Sequence, residues 1–222
     1  EAISGLRAEA GQEVPIIGVV IAPFSLPVMQ MGFESYLVLM HEQPGLFARL
    51  MEINEQFCIQ WAQAQVKAGA TAICYFDPVS SPTIVPRQKY LAAGFDIAGR
   101  VIAAVDVPVA AHTASGRILP IVDDLHAAGA AAVCPSAEED LAEVKAACAG
   151  RMGIIGNFNG VEMRRWNAQT AAQQVRQAIS KAGAGGGLIL ADNHGEIPLQ
   201  VSEDVLAAIA GAVRTHGRYP MK

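Results

Sequence analysis

Four polar stops in this chain each follow a short apolar run and hold side chains that can move protons or grip a ligand. Asp77 follows 71–76, His112 follows 107–111, Asn157 follows 152–156, and Asp192, Asn193 and His194 follow 187–191. A carboxylate accepts two hydrogen bonds side by side, an amide donates and accepts, and imidazole titrates near neutrality. The set therefore suits acid–base chemistry or the hydrogen-bonding edge of a polar ligand. His112, Asp192 and Asn157 are the catalytic candidates. Asp77, Asn157, Asn159, Asp192, Asn193 and His194 are the candidate substrate-binding residues. Plainer uses compete. Gly156-Asn157-Phe158-Asn159-Gly160 fits an Asx-type turn, Asp77 before Pro78 fits turn initiation, and His112 fits a buried neutral imidazole bonded to a neighbouring strand end.

The elements that must position these residues are legible. Six runs, at 14–20, 71–76, 107–111, 130–134, 152–156 and 187–191, alternate with helical patterns. Such alternation predicts βαβ units and a parallel sheet. In a parallel barrel the strand C-termini share one face, where barrel enzymes keep their active sites. An open doubly wound sheet would gather them in a crevice instead. Pro44 opens a long helix whose stripe of Leu46, Leu50, Ile53, Phe57, Trp61 and Ala64 is expected to pack on the sheet. Ser136 and Glu139 have capping-box spacing, and Asn167 and Ser202 read as N-caps of the last two helices.

With 222 residues, 52% hydrophobic and 17% charged, the chain reads as one compact domain over 1–222. A net charge of −5 with 16 dispersed basic residues argues against nucleic acid as a partner. Cys58, Cys74, Cys134 and Cys148 form no Cys-x-x-Cys pair and read as free thiols in a reducing cytoplasm. The most apolar stretch, 14–29, is interrupted by Pro23 and Pro27 and is too short for a membrane span. No basic leader precedes it, so neither a membrane anchor nor a signal peptide is expected.

Read together, VPIIGVVIAPFSLPVMQMGFESYLVL, AQVKAGATAICYFDPVSSPTIVP, VPVAAHTASGRILPIVDDLHAAGAAAV, MGIIGNFNG and GLILADNHGEIP follow the order and spacing of the uroporphyrinogen decarboxylase superfamily. The chain resembles its cobalamin-dependent methyltransferase branch more than the decarboxylase. The resemblance implies an α/β fold, a TIM-type (β/α)8 barrel of the uroporphyrinogen decarboxylase type. Residue 1 aligns well inside a typical member, so the N-terminal strands are expected to be absent, in keeping with six readable strands and a barrel norm of about 250 residues. The implied activity moves a methyl group between a methylcobalamin-bearing corrinoid carrier protein and a small-molecule acceptor, tetrahydrofolate in the first place. A homodimer is compatible with this reading.

Members that methylate thiols carry zinc on a His-x-Cys pair after one strand and a Cys after the last. Here the first motif reads His112-Thr113-Ala114 and the last Asp192-Asn193-His194-Gly195. A catalytic zinc wants three protein ligands, and only Cys134 could join His112 and His194. No metal is therefore expected, and an amine acceptor needs none. The alternative is a zinc-dependent methylcobalamin:thiol methyltransferase of the coenzyme M type. A second rival is uroporphyrinogen decarboxylase, whose eight-carboxylate substrate wants a basic cleft, yet Arg87, Arg164 and Arg165 are the only basic candidates near these loops. Asp124-Leu125-His126-Ala127-Ala128-Gly129 fits the Asp-x-His-x-x-Gly pattern of corrinoid carriers. Pro120, Ile121, Leu125 and Gly129 instead read as a helix, which removes His126 from any cobalt-binding loop.

Overall fold

Parallel pairing in consecutive order dictates which side chains share a face. A computed structural model describes residues 1–219, and all six expected strands are present. β1 (Ile17–Ile21), β2 (Ala72–Phe76), β3 (Val109–His112), β4 (Ala132–Cys134), β5 (Gly153–Ile155) and β6 (Leu188–Ile189) pair parallel in the order β1-β2-β3-β4-β5-β6. A doubly wound sheet reverses its strand order part-way. Strictly sequential winding is that of a barrel wall. Among the described residues the wall is an open arc, with β1 and β6 each paired on one side.

The helices are α1 (Ala2–Ala10), α2 (Leu26–Met31), α3 (Phe33–Glu42), α4 (Pro44–Lys67), α5 (Arg87–Ala93), α6 (Phe95–Ala103), α7 (Val122–Ala127), α8 (Leu141–Cys148), α9 (Gly160–Met163), α10 (Ala168–Ala182) and α11 (Glu203–His216). Residues two apart in a strand face the same way. Register then aligns Val20, Tyr75, Ala111, Val133, Ile154 and Leu188 as one row beneath the helices. The opposite, inner face carries Val19, Cys74, Ala110, Ala132 and Gly153 in one row and Ile21, Phe76, His112 and Cys134 in the next. Its small residues leave room above the sheet, and Ile17, Val19 and Ile189 are exposed on it.

The expected packing stripe of α4 is overturned. Leu46, Ile53, Phe57 and Trp61 are between 49% and 56% exposed, while Phe47, Met51, Asn54, Cys58, Ala62 and Gln65 are buried. Among the described residues no strand pairs the outer edge of β1, and backbone groups there take partners from the buried face of α4. Gln65 provides them: its amide accepts from Val19 N–H at 3.1 Å and donates to Val19 O at 3.0 Å. A side chain at Gly18 would collide with that amide, its Cβ lying 2.7 Å from Gln65 Oε1. Asn54 is paired in the same way, exchanging two 3.1 Å bonds with Gln30.

Pro44 opens α4 as expected, and the side-chain N-caps were legible in two of three cases. Asn167 and Ser202 accept from Thr170 and Val205 N–H as N-caps of α10 and α11. At α8 the cap is Asp140, which accepts from Ala142 N–H, not Ser136 with Glu139. His126 lies on α7, in line with the helical reading. The rotation of α4 is open to test. Met51→Ala should destabilise the fold by about 2–5 kcal/mol, as buried large-to-small changes do. Phe57→Gln should stay within about 0.5 kcal/mol of the parent in urea unfolding. The reverse ranking would mean that the Leu46–Trp61 stripe is the buried one.

Candidate active site

His112 is the last residue of β3, on the inner face, with Phe76 and Cys134 beside it in register. It is 8% exposed, and its ring centroid is 5.4 Å from that of Phe76. The chain then turns through Ala114, whose left-handed φ of 54° points its N–H back to donate to His112 Nδ1 at 2.9 Å. A neutral imidazole that accepts at Nδ1 carries its proton on Nε2. Burial lowers the His112 pKa, nearby His194 lowers it further, and Asp192 opposes both. His112 thus faces the cleft as a neutral imidazole with an Nε2–H donor.

The ends of β5 and β6 are joined beyond the strands themselves. Phe158 N–H donates to Ala191 O and Asn193 N–H to Phe158 O, both at 2.9 Å, and Phe158 bridges Asp192. Asp192 Oδ2 accepts from the N–H groups of His194 at 2.8 Å and Gly195 at 3.0 Å. No hydrogen bond from the described residues reaches Oδ1. Asn193 is buried: its amide nitrogen donates to Phe158 O at 3.2 Å and to His194 Nδ1 at 3.0 Å, and its oxygen accepts from Ala137 N–H at 3.0 Å. His194, like His112, therefore accepts at Nδ1 and keeps its proton on Nε2.

His112, Asp192 and His194 come together, and the other expected residues are engaged in holding loops. Asp77 is only 3% exposed, and its Oδ1 accepts from Ser25 Oγ at 2.5 Å. Ser25 Oγ accepts in turn from Val79 N–H at 3.0 Å. Asn157 donates to the carbonyls of Ser136 at 2.7 Å and Glu139 at 2.9 Å. Asn159 caps α9 by accepting from Glu162 N–H at 3.1 Å. Two polar residues of this network lay outside the sequence-based site. Ser25 sits in an apolar stretch with only its position after β1 to mark it. Glu139 makes the reach-back bond of its capping-box spacing, accepting from Ser136 N–H at 2.9 Å, but on the turn ahead of α8, and it also accepts from the N–H groups of Ile118 and Leu119 at 2.8 Å.

Zinc does not fit these residues. A zinc-bound histidine donates its second ring N–H to an acceptor, whereas His112 and His194 both present Nδ1 to donors. Burial pushes the Cys134 thiol well up, which disfavours the thiolate that a metal ligand must be. Among the described residues no group of three or more His, Cys, Asp or Glu is placed to hold a metal ion.

A family model described as Uroporphyrinogen decarboxylase (URO-D) matches residues 1–216. The methylcobamide:CoM methyltransferase MtaA of Methanosarcina barkeri is 27% identical over 214 residues, which cover 95% of this chain and 61% of the relative. A uroporphyrinogen decarboxylase of Cupriavidus necator is 27% identical over 211 residues, covering 87% of this chain and 56% of its own. The chain thus spans less than two thirds of the length of these relatives. In fold it is similar to a methyltransferase from Methanosarcina mazei, with a TM-score of 0.86 at 20% identity over 96% of this chain and 62% of that one.

Asp77 gives the site a pH signature. Burial raises its pKa from 3.8 to about 6, while the Ser25 and Ser80 bonds pull it down, and Oδ2 is buried without a partner. Between pH 4 and pH 6 the folded chain holds a proton that the unfolded chain releases, so stability should fall as pH rises through that window. Asp77→Asn keeps an oxygen for Ser25 and removes the charge. It should flatten this slope and gain roughly 2 to 3 kcal/mol at pH 7, at about 1.4 kcal/mol per pKa unit. Urea unfolding from pH 4 to 7 measures both, and equal slopes in the two proteins would clear Asp77 of any role in the pH dependence.

Proposed function

The chain belongs to the uroporphyrinogen decarboxylase (URO-D) family, and from that premise we propose that it is a corrinoid-dependent methyltransferase with tetrahydrofolate as its acceptor. The matched relative named for methylcobamide and CoM supports the methyl-transfer half of this reading. The observation that carries the acceptor half is the N–H donor facing Nδ1 of His112. It leaves Nε2 protonated and unsuited to zinc, and a thiol without zinc is a poor nucleophile at neutral pH. An amine nitrogen such as N5 of tetrahydrofolate attacks as the neutral base.

A corrinoid-bearing partner would supply the methyl group as an electrophile, the bonding pair remaining with the corrinoid. This chain contributes position and a place for the released proton. Asp192 is held by His194 and Gly195 through Oδ2, so its Oδ1 is the acceptor for the pterin N–H edge or for the N5 proton. His112 donates from Nε2 and orients the heterocycle, a narrower role than the proton carrier expected from its type. Holding nitrogen and methyl carbon in line at about 3–3.5 Å supplies several kcal/mol of barrier reduction. Decarboxylation of a tetrapyrrole is less well supported. Arg87 is paired with Asp124 at 2.6 Å and Arg165 with Glu162 at 3.3 Å, so among the described residues these two cations near the loops are already engaged.

Methyl transfer from free methylcobalamin to tetrahydrofolate should survive prolonged chelation, with transfer to coenzyme M absent or very slow. Asp192→Asn should slow the folate reaction by about 10²-fold or more, if Oδ1 takes the proton. Activity that disappears on chelation and returns with stoichiometric zinc would overturn the amine-acceptor reading.

A further inference from the structure

Beyond the strand ends of β1 and β2, the chain folds back and leaves a pocket of about 240 Å³ above Ile21 and Phe76. Met29, Phe33, Phe76, Val79 and Ile84 wall it, and Ser25 is its one polar side chain. The Ser25 hydroxyl is already committed, donating to Asp77 and accepting from Val79 N–H. A charged or strongly polar group would lose its hydration there and gain nothing in return. An apolar cavity of about 150 Å³ takes up benzene, so this pocket has room for a six-membered ring and a substituent. Phe33 and Phe76 offer aromatic walls, and Met29 a polarisable thioether. Met29, Phe33 and Ile84 are all partly exposed, so the pocket opens to solvent.

Its location relates it to the site. The Phe76 ring that forms one wall lies 5.4 Å from the His112 ring, so the pocket and the imidazole flank the same aromatic side chain. Resting on the methyltransferase reading above, we propose that this pocket seats an uncharged aromatic ring of the small-molecule substrate. In tetrahydrofolate that ring is the aminobenzoyl group. The polar pterin then lies toward His112 and Asp192, and the anionic glutamate in solvent. The same chemistry is offered by an aryl methyl ether acting as methyl donor to the corrinoid partner.

Calorimetry on the full chain with p-aminobenzoylglutamate, pterin-6-carboxylate and methoxybenzene separates these cases. Ile84→Trp fills the pocket and Phe33→Ala removes a wall. Both positions are partly exposed, and a melting curve checks that each variant folds. Binding of p-aminobenzoylglutamate should weaken about tenfold or more in Ile84→Trp and several-fold in Phe33→Ala, the size expected for losing much of a ring's burial. Binding of pterin-6-carboxylate should change by less than about twofold. Methoxybenzene binding with the same sensitivity, and no binding of either folate half, would uphold the ring pocket and remove tetrahydrofolate from the proposed function. Aryl probes that do not bind, or that bind Ile84→Trp as tightly as the parent, would overturn the pocket assignment.

Discussion

The pleat of six parallel strands is the constraint from which the rest of this molecule follows. Because side chains alternate, one face of the sheet must be covered by helices and the other must form the floor of the cleft. The covered face holds Val20, Tyr75, Ala111, Val133 and Ile154, all nearly inaccessible to solvent. On the other face Ala110, Ala132 and Gly153 keep the floor low, and His112 rises at its edge between Phe76 and Cys134. A one-residue slip in β3 would turn His112 under the helices and replace it with an alanine.

Above that floor, two kinds of polar residue divide the work. One kind satisfies backbone and loop groups that would otherwise be buried without partners, at about 1–3 kcal/mol each. Glu139 gathers three N–H groups, Asn157 two carbonyls, and Asn193 links the β5 and β6 loops to Ala137. The other kind keeps an atom without a partner among the described residues: Nε2 of His112, Nε2 of His194 and Oδ1 of Asp192.

The edge of the arc obeys the same economy of polar groups. Among the described residues, backbone at Val19 is satisfied by the Gln65 side chain. That choice rotates α4 about its axis, burying amides and leaving Phe57 and Trp61 outside.

Much of this was readable from residues alone. Strand positions, the parallel sheet, the caps at Asn167 and Ser202, and the helical setting of His126 follow from local rules, because periodicity, capping and turn chemistry act over a few residues, whereas the barrel over the doubly wound alternative came from the family resemblance and the strand order. The convergence of His112, Asp192 and His194 followed from topology, since parallel strand ends must meet. Which polar residues face the cleft did not follow. Asp77, Asn157, Asn159 and Asn193 have the same types and the same strand-end placement as His112 and Asp192, and only the packed loops decide that each is drawn into holding backbone or a neighbouring side chain. The face of α4 was equally beyond local reasoning, because the hydrogen-bond demand of a strand 46 residues away in sequence outweighed the pull of an apolar stripe. Periodicity reports where apolar groups recur along a helix, and tertiary structure alone decides which face meets a neighbour.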